Sequence, residues 1–247
     1  MERKRNIIIA ALVMVGIWEL AAFLLNTMAL PNPRAVVSHA LQMVSDGSII
    51  DDLLISCTRA VCGILLALLT AVPLGLFIGA EPQWRRRLSP YIYLLYPIPH
   101  VVLLPLIIIL FGIGNFSKIF LIALIIFFQI IVTTRDAAKS VHQNYYYAMQ
   151  TLGATRLQIY RHVIFPSALP KIMTAMRISI GTAVAILFFA ESFATTRGLG
   201  YIIMDSWGRA DYIALYSGIF FMALLGFFLY LLLDIAERRI CRWTVVH

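Results

Sequence analysis

The stretch Tyr147-Ala148-Met149-Gln150-Thr151-Leu152-Gly153-Ala154-Thr155-Arg156, running on to Val163-Ile164-Phe165-Pro166, is a polar interruption between two long apolar runs. The runs on either side, 116–134 and 172–193, are each close to the ~20 residues that a helix needs to cross a hydrocarbon core. Reading outward, four more runs qualify: 6–28, 53–80, 91–113 and 212–233. None alternates polar and apolar residues in ten-residue blocks, as barrel strands would. The sequence therefore predicts an all-α integral membrane protein with six transmembrane helices.

Composition agrees. The chain has 247 residues, of which 61% are hydrophobic and only 13% charged. A soluble domain carries about 25% charged residues, so much of this surface faces lipid. The net charge of +8 would point to nucleic acid on a soluble protein. Here the basic residues sit at the ends of apolar runs, which points to membrane orientation instead. The three cysteines, Cys57, Cys62 and Cys241, show neither C-x-x-C spacing nor an even count. They read as packing residues rather than as a disulfide framework or a metal site.

With the N-terminus inside, most of the Lys and Arg residues fall on the inner side. They are Arg3, Lys4 and Arg5; Arg85, Arg86 and Arg87; Arg135, Lys139, Arg156, Arg161 and Lys171; and Arg238, Arg239 and Arg242. The positive-inside rule then places both termini and the long loop in the cytoplasm. The first run has a longer apolar stretch than a signal peptide and no small-x-small cleavage site, so it reads as an uncleaved signal-anchor. On the outer side, 35–44 reads as a short amphipathic helix, and 195–211 as an ordered loop carrying Tyr201 and Trp207 at interface depth.

The third span carries Pro97, Pro99 and Pro105, with His100 among them. Proline frees backbone carbonyls, so this span should be kinked and should face protein or a wet path. Small residues recur at Gly63, Ala67, Ala71 and Gly75, and at Ala175, Ser179 and Ala183, where they suit close helix packing. Few ionisable groups lie within spans: Glu19, Arg59 and Glu191. Neither acid has an evident partner in the sequence. Arg59, Pro97, His100, Glu191 and Arg197 are the candidates for lining a pathway, although Arg59 or Arg197 could equally pair with Asp51, Asp52 or Asp205.

Enzyme constellations are missing from the sequence. It has no P-loop, no H-E-x-x-H and no G-x-S-x-G, and its five histidines lack ligand spacing. No metal and no cofactor is expected in this chain. Within the interruption, 144–152 reads as a short helix ended by a left-handed Gly153. Thr155 reads as the N-cap of a second helix over 156–165. Pro166 is expected to break the chain, with Ser167 capping the fifth span.

The spacing Tyr147-Ala148-Met149-x-x-x-Gly153, nine residues, then Val163-x-Phe165-Pro166 resembles the EAA signature of ABC importer permeases. Tyr147 stands where that family usually has glutamate, and Met149 replaces its second alanine. Leu30-Pro31-Asn32-Pro33, Ser56-Cys57-Thr58-Arg59, Ala168-Leu169-Pro170, Met176 through Gly181, Glu191-Ser192 and Arg197-Gly198-Leu199-Gly200-Tyr201 are similar to the nitrate, sulfonate, taurine and bicarbonate branch.

The resemblance implies a type I importer (MetI-like) fold. Residues 1–52 would form the signal-anchor span and the outer segment. Residues 53–237 would form a five-helix core with its cytoplasmic coupling loop at about 135–171, and 238–247 a cytoplasmic tail. Tyr147, Ala148, Gly153, Ala154, Thr155, Arg156 and Pro166 would meet a partner ATPase. That partner would use ATP and Mg. Two cytoplasmic ATP-binding subunits, a second permease copy and a periplasmic or lipoprotein binding protein would complete the importer in a bacterial plasma membrane. The solute would be small and anionic, such as a sulfonate, taurine, nitrate or bicarbonate, with vitamin-precursor pyrimidines also open within this branch. The competing readings are an ion-coupled secondary transporter and a membrane assembly or regulatory subunit.

Overall fold

The computed structural model describes residues 2–193 and 195–244, with side chains over 9–193 and 195–243. The described chain is helical throughout. The first half contains α1 (Glu2–Leu25), α2 (Pro33–Ser45), α3 (Ile50–Ala80), α4 (Pro82–Leu95), α5 (Leu104–Phe111) and α6 (Asn115–Lys139). It continues with α7 (Gln143–Thr151), α8 (Arg156–Ile159), α9 (Phe165–Ser192), α10 (Leu199–Gly208) and α11 (Tyr212–Ile240). The chain forms two compact units, Met1–Ser56 with Glu191–Leu224, and Cys57–Ala190 with Leu225–His247.

In the first unit, Asn32 caps α2 by accepting the Ala35 N–H, with Pro33 in the first turn. The expected short helix therefore forms. Its Val36 and Ala40 are buried at i, i+4 spacing. His39 Nδ1 lies 3.0 Å from Ser217 Oγ on α11. The Trp18 indole donates to the Pro31 carbonyl at 3.1 Å and packs on Tyr216. The segment 195–211 departs from expectation, because most of it is helix α10 rather than loop.

The second unit is organised by contact between α3 and α6. A Cβ on Gly63 would lie 2.6 Å from the Ile122 side chain, and one on Gly75 would lie 2.7 Å from Thr134 Cβ. At Gly79 it would run into the Arg135 carbonyl. Ala67 and Ala71 continue this stripe and are fully buried. Lipid competes well with protein for large apolar side chains, so helices in a membrane gain most where small residues let backbones approach. On α9, Ser179 donates to Gln129 on α6 at 3.2 Å, and Val184 packs against Gly226 on α11. Arg177 on α9 pairs with Glu237 on α11.

Two proline sites behave differently. The expected third span, 91–113, is not one helix. Helix α4 begins at Pro82 and takes in Arg85, Arg86 and Arg87. The chain then breaks at 96–99, and the His100–Phe111 segment lies at 77° to α4. Pro97 and Pro99 remove donors two residues apart, which helical bonding cannot bridge. Pro166, expected to break the chain, does not. Tyr160–Ile164 forms a π-turn in which the Phe165 N–H reaches the Tyr160 carbonyl. This wide turn shifts the bonding register just ahead of the proline, so Arg156–Ser192 runs as one helix. Ser167 consequently lies inside α9 and caps nothing. Arg135 and Lys139, expected in the loop, belong to α6, and Arg135 is buried.

Among the described residues, α3, α6, the Arg156–Ser192 run and α11 are long and apolar enough to cross a membrane. The bent pair makes a fifth span if it is counted as one, and Ile9–Leu25 is a shorter apolar helix.

Substituting Gly79→Val should abolish the α3–α6 approach, because its side chain would meet backbone that cannot yield. Gly181→Ala meets nothing within 4 Å and serves as the control. Size-exclusion of detergent-solubilised protein should show loss of the monodisperse peak for Gly79→Val alone.

Candidate functional site

Helix α7 starts where His142 Nδ1 accepts the Asn144 N–H. It ends in a Schellman motif. The Gly153 N–H bonds the Gln150 carbonyl at 2.9 Å, and the Ala154 N–H bonds the Met149 carbonyl at 3.0 Å. Gly153 has φ +75°, the left-handed value that the motif requires. Two residues later Thr155 caps α8 in a reciprocal box. Its hydroxyl accepts the Gln158 N–H at 3.4 Å, while Gln158 Oε1 accepts the Thr155 N–H at 2.7 Å. The helix–turn–helix predicted from Gly153 and Thr155 is therefore present.

The motif has two faces. Ile159, Val163 and Ile164 are buried in a cluster with Leu76 of α3, Ala137 and Ala138 of α6, and Ala168 and Ile172 of α9. Tyr146, Met149 and Ala154 pack against the same cluster. Burial of Ile159, Val163 and Ile164 anchors the motif on three helices, each such side chain contributing on the order of 1.5–3 kcal/mol. The opposite face exposes Tyr147, Ala148, Gly153, Thr155 and Arg156, with Leu152 81% and Leu157 77% exposed. Pro166 is half-buried, within the continuous helix. Tyr147 points outward, its hydroxyl near Gln143.

No acid stands at position 147, but one approaches the motif from elsewhere. Glu81, between α3 and α4, accepts from the Tyr160 hydroxyl at 3.4 Å and lies 3.6 Å from Arg156 Nη1. Burial pushes the Tyr146 phenol above its ordinary pKa, and the Glu81 charge adds to the shift against the opposing Arg85. Sequence reasoning missed Glu81. Its only local signal is the proline that follows it.

The pathway candidates fall in both units. In the second, Arg59 is buried and donates to Asn115 Oδ1 at 2.9 and 2.7 Å. Pro97 lies in the chain break, and His100 opens the 3₁₀ turn after it, stacked on Phe128 at 4.5 Å.

In the first unit, Glu191 is fully buried, and the expectation that it lacks a partner is wrong. Its carboxylate accepts from the Ser56 hydroxyl at 2.8 and 2.9 Å and from the Gly200 N–H at 2.9 Å. Ser56 Oγ in turn accepts the Leu199 N–H at 2.8 Å, and Asp52 the Gly198 N–H at 2.6 Å. Three successive donors at the start of α10 are thus met by side chains, where the helix dipole also favours negative charge. Arg197 pairs with Asp51 at 3.3 Å, and Asp205 with Arg209 at 2.6 Å. Glu19, the acid in α1, lies 4.0 Å from Arg34.

The profile of the family described as "binding-protein-dependent transport system inner membrane component" matches residues 63–242. The taurine transport system permease protein of Escherichia coli (strain K12) is 36% identical over 232 residues, covering 92% of this chain and 84% of that protein. A putative aliphatic sulfonates transport permease protein of Bacillus subtilis (strain 168) is 30% identical over 233 residues, covering 94% and 84%. Among solved structures, a chain of the inward-facing MetNI methionine ABC transporter aligns with TM-score 0.64 at 18% identity, covering 78% of this chain and 95% of that one. That likeness establishes the fold.

Thr155→Ala should loosen the start of α8 by about 1 kcal/mol, seen as about fivefold faster amide exchange at Gln158. Gln158→Ala should act on the same bond pair, so the double variant should cost less than the sum of the two.

Proposed function

The chain belongs to the family of binding-protein-dependent transport system inner membrane components, and from that premise we propose that its α7–α8 motif is the docking point for a separate ATP-hydrolysing subunit. As a member of that family the chain is the membrane permease subunit of an ABC importer, a multi-pass inner-membrane protein. ATP hydrolysis and solute capture belong to other subunits. The observation that carries the docking reading is the two-faced motif itself. Its turn is held rigid by the Schellman bonds and the capping box, exposed on one side and anchored on three helices by the other.

In this reading Tyr147, Ala148, Gly153, Thr155 and Arg156 face the ATPase, while Ala154, expected there too, packs back on the apolar cluster and Pro166 carries the motif into α9 without a break. Two ATP-binding subunits, with their ATP and Mg, would act on two permease copies, with both termini and the loop on the cytoplasmic side. Residues 1–52 would be an added anchor and outer segment, 53–237 the five-helix core with the loop at 135–171, and 238–247 the tail.

The solute is a small organic anion of the sulfonate class. The taurine and sulfonate permeases among the relatives support this class. Arg59 in α3 is the leading candidate for meeting the anion. Pro97 and His100 shape the broken helix, and Arg197 is the exposed basic group of the outer segment. Glu191 acts there by building the start of α10. The secondary-transport alternative would need free intramembrane acids, but Glu191 is engaged by Ser56 and Gly200 and Glu19 lies beside Arg34.

Gly153→Asp places a charge on the exposed turn and strains its left-handed backbone. The complex carrying it should insert normally yet lose taurine or alkanesulfonate uptake and binding-protein-stimulated ATP hydrolysis. Normal uptake would refute the docking reading. A Thr155→Cys variant should react with impermeant maleimide only from the cytoplasmic side.

A further inference from the structure

Glu81 occupies the joint between two helices that do different things. Helix α3 ends at Ala80, and α4 begins at Pro82 and leads to the break at Pro97 and Pro99. Glu81 itself is extended, with φ −99° and ψ 107°, so the chain turns there. Its carbonyl accepts the Arg85 N–H at 3.0 Å, which joins it to the first turn of α4. Its carboxylate faces the other way, toward Tyr160 and Arg156. A hollow of about 190 Å³, lined by Ala80, Glu81, Tyr146, Gln150, Arg156 and Tyr160, leaves room for these groups to shift.

The apolar cluster beneath the motif holds α3, α6 and α9. Glu81 supplies the polar contact to the start of α4. The Schellman bonds and the capping box make the turn stiff, so a push on it displaces Arg156 and Tyr160 together. The contact is also easy to break. Arg156 is 87% exposed against 28% for Glu81, and ion pairs with an exposed partner contribute about 0–1 kcal/mol; the Tyr160 hydroxyl meets Glu81 only at 3.4 Å, longer than an ordinary O–H···O bond. A contact remade in every transport cycle has to be of that kind, whereas a buried and fully satisfied pair would lock the joint.

We propose that Glu81 is the positioning residue through which displacement of the α7–α8 motif reaches α4 and the broken helix beyond it. This rests on the ATPase-docking reading above. The carboxylate does no chemistry and touches no solute. It ties the orientation of α4 to the position of the motif.

The test uses the assembled importer in membrane vesicles. The permease carries Ile98→Cys in the chain break, where Ile98 is 44% exposed, and its three native cysteines are replaced by alanine. Maleimide labelling of that thiol is measured with and without ATP plus vanadate, alongside ATP hydrolysis. With Glu81 intact, the nucleotide should change the labelling rate by about fivefold or more, the scale of an ordinary coupling free energy. Glu81→Ala and Tyr160→Phe should each reduce that change to about twofold or less while ATP hydrolysis continues. Glu81→Gln keeps an acceptor for Tyr160 and should fall between. If Glu81→Ala fails to assemble, the other two variants decide. Full nucleotide dependence in Glu81→Ala, or in both Tyr160→Phe and Glu81→Gln, would overturn the proposal and leave the docking reading standing. A parent importer whose labelling ignores nucleotide would overturn both.

Discussion

Helix α3 lies against α6 only because Gly63, Gly75 and Gly79 present no side chain where Ile122, Thr134 and the Arg135 carbonyl stand. In lipid, apolar burial gives little net drive for two helices to meet, so the closeness of approach sets the strength of their contact. The rest of the second unit follows from it. The end of α6 carries Ala137 and Ala138, and the end of α3 carries Leu76. Together they form the floor on which Ile159, Val163 and Ile164 pack. The α7–α8 motif therefore takes its position from a stripe of small residues on α3.

The motif's own construction is local. The Schellman bonds at Gly153 and the capping box at Thr155 and Gln158 meet backbone donors and acceptors that a short helix would otherwise leave to water. Stiffness at this point suits the displacement-passing role proposed for the motif. The π-turn at Tyr160–Ile164 extends that stiffness past Pro166, so the motif and α9 form one continuous helix. On the other side of the motif the polar join to α4 runs through Glu81, by a long hydrogen bond from Tyr160 and an ion pair with the exposed Arg156. One connection is rigid and the other is breakable.

Glu191 shows how a buried charge changes meaning once its neighbours are known. As an acid in an apolar run it reads as a transport group, because ionised side chains in membranes are costly and mostly functional. In the structure its two oxygens are occupied by Ser56 and Gly200, and a Cβ on Gly198 would collide with the carboxylate. The cost of burying the charge is offset by donors at a helix start. Asp52 and Ser56 complete the same cap, and so 195–211 becomes helix rather than loop.

The sequence by itself determined whatever depends on neighbours within a turn or on a simple tally along the chain. The membrane class, the apolar runs, the left-handed Gly153, the Thr155 cap and the small-residue stripe were all legible, because each follows from spacing of 3.6 residues or from one residue's backbone preference. Pro97 and Pro99 announced a kink within one span, and the structure makes it a full break, since two missing donors close together cannot be bridged. Pro166, with the same local signal, did not break the chain. The outcome there turned on a change of bonding register that packing against α3 and α6 supports. The partners of Glu191 and Glu81 lie 135 and 79 residues away, at Ser56 and Tyr160. Only the tertiary structure could decide them, because a hydrogen bond between distant residues exists only once helix packing has brought its two groups within bonding reach.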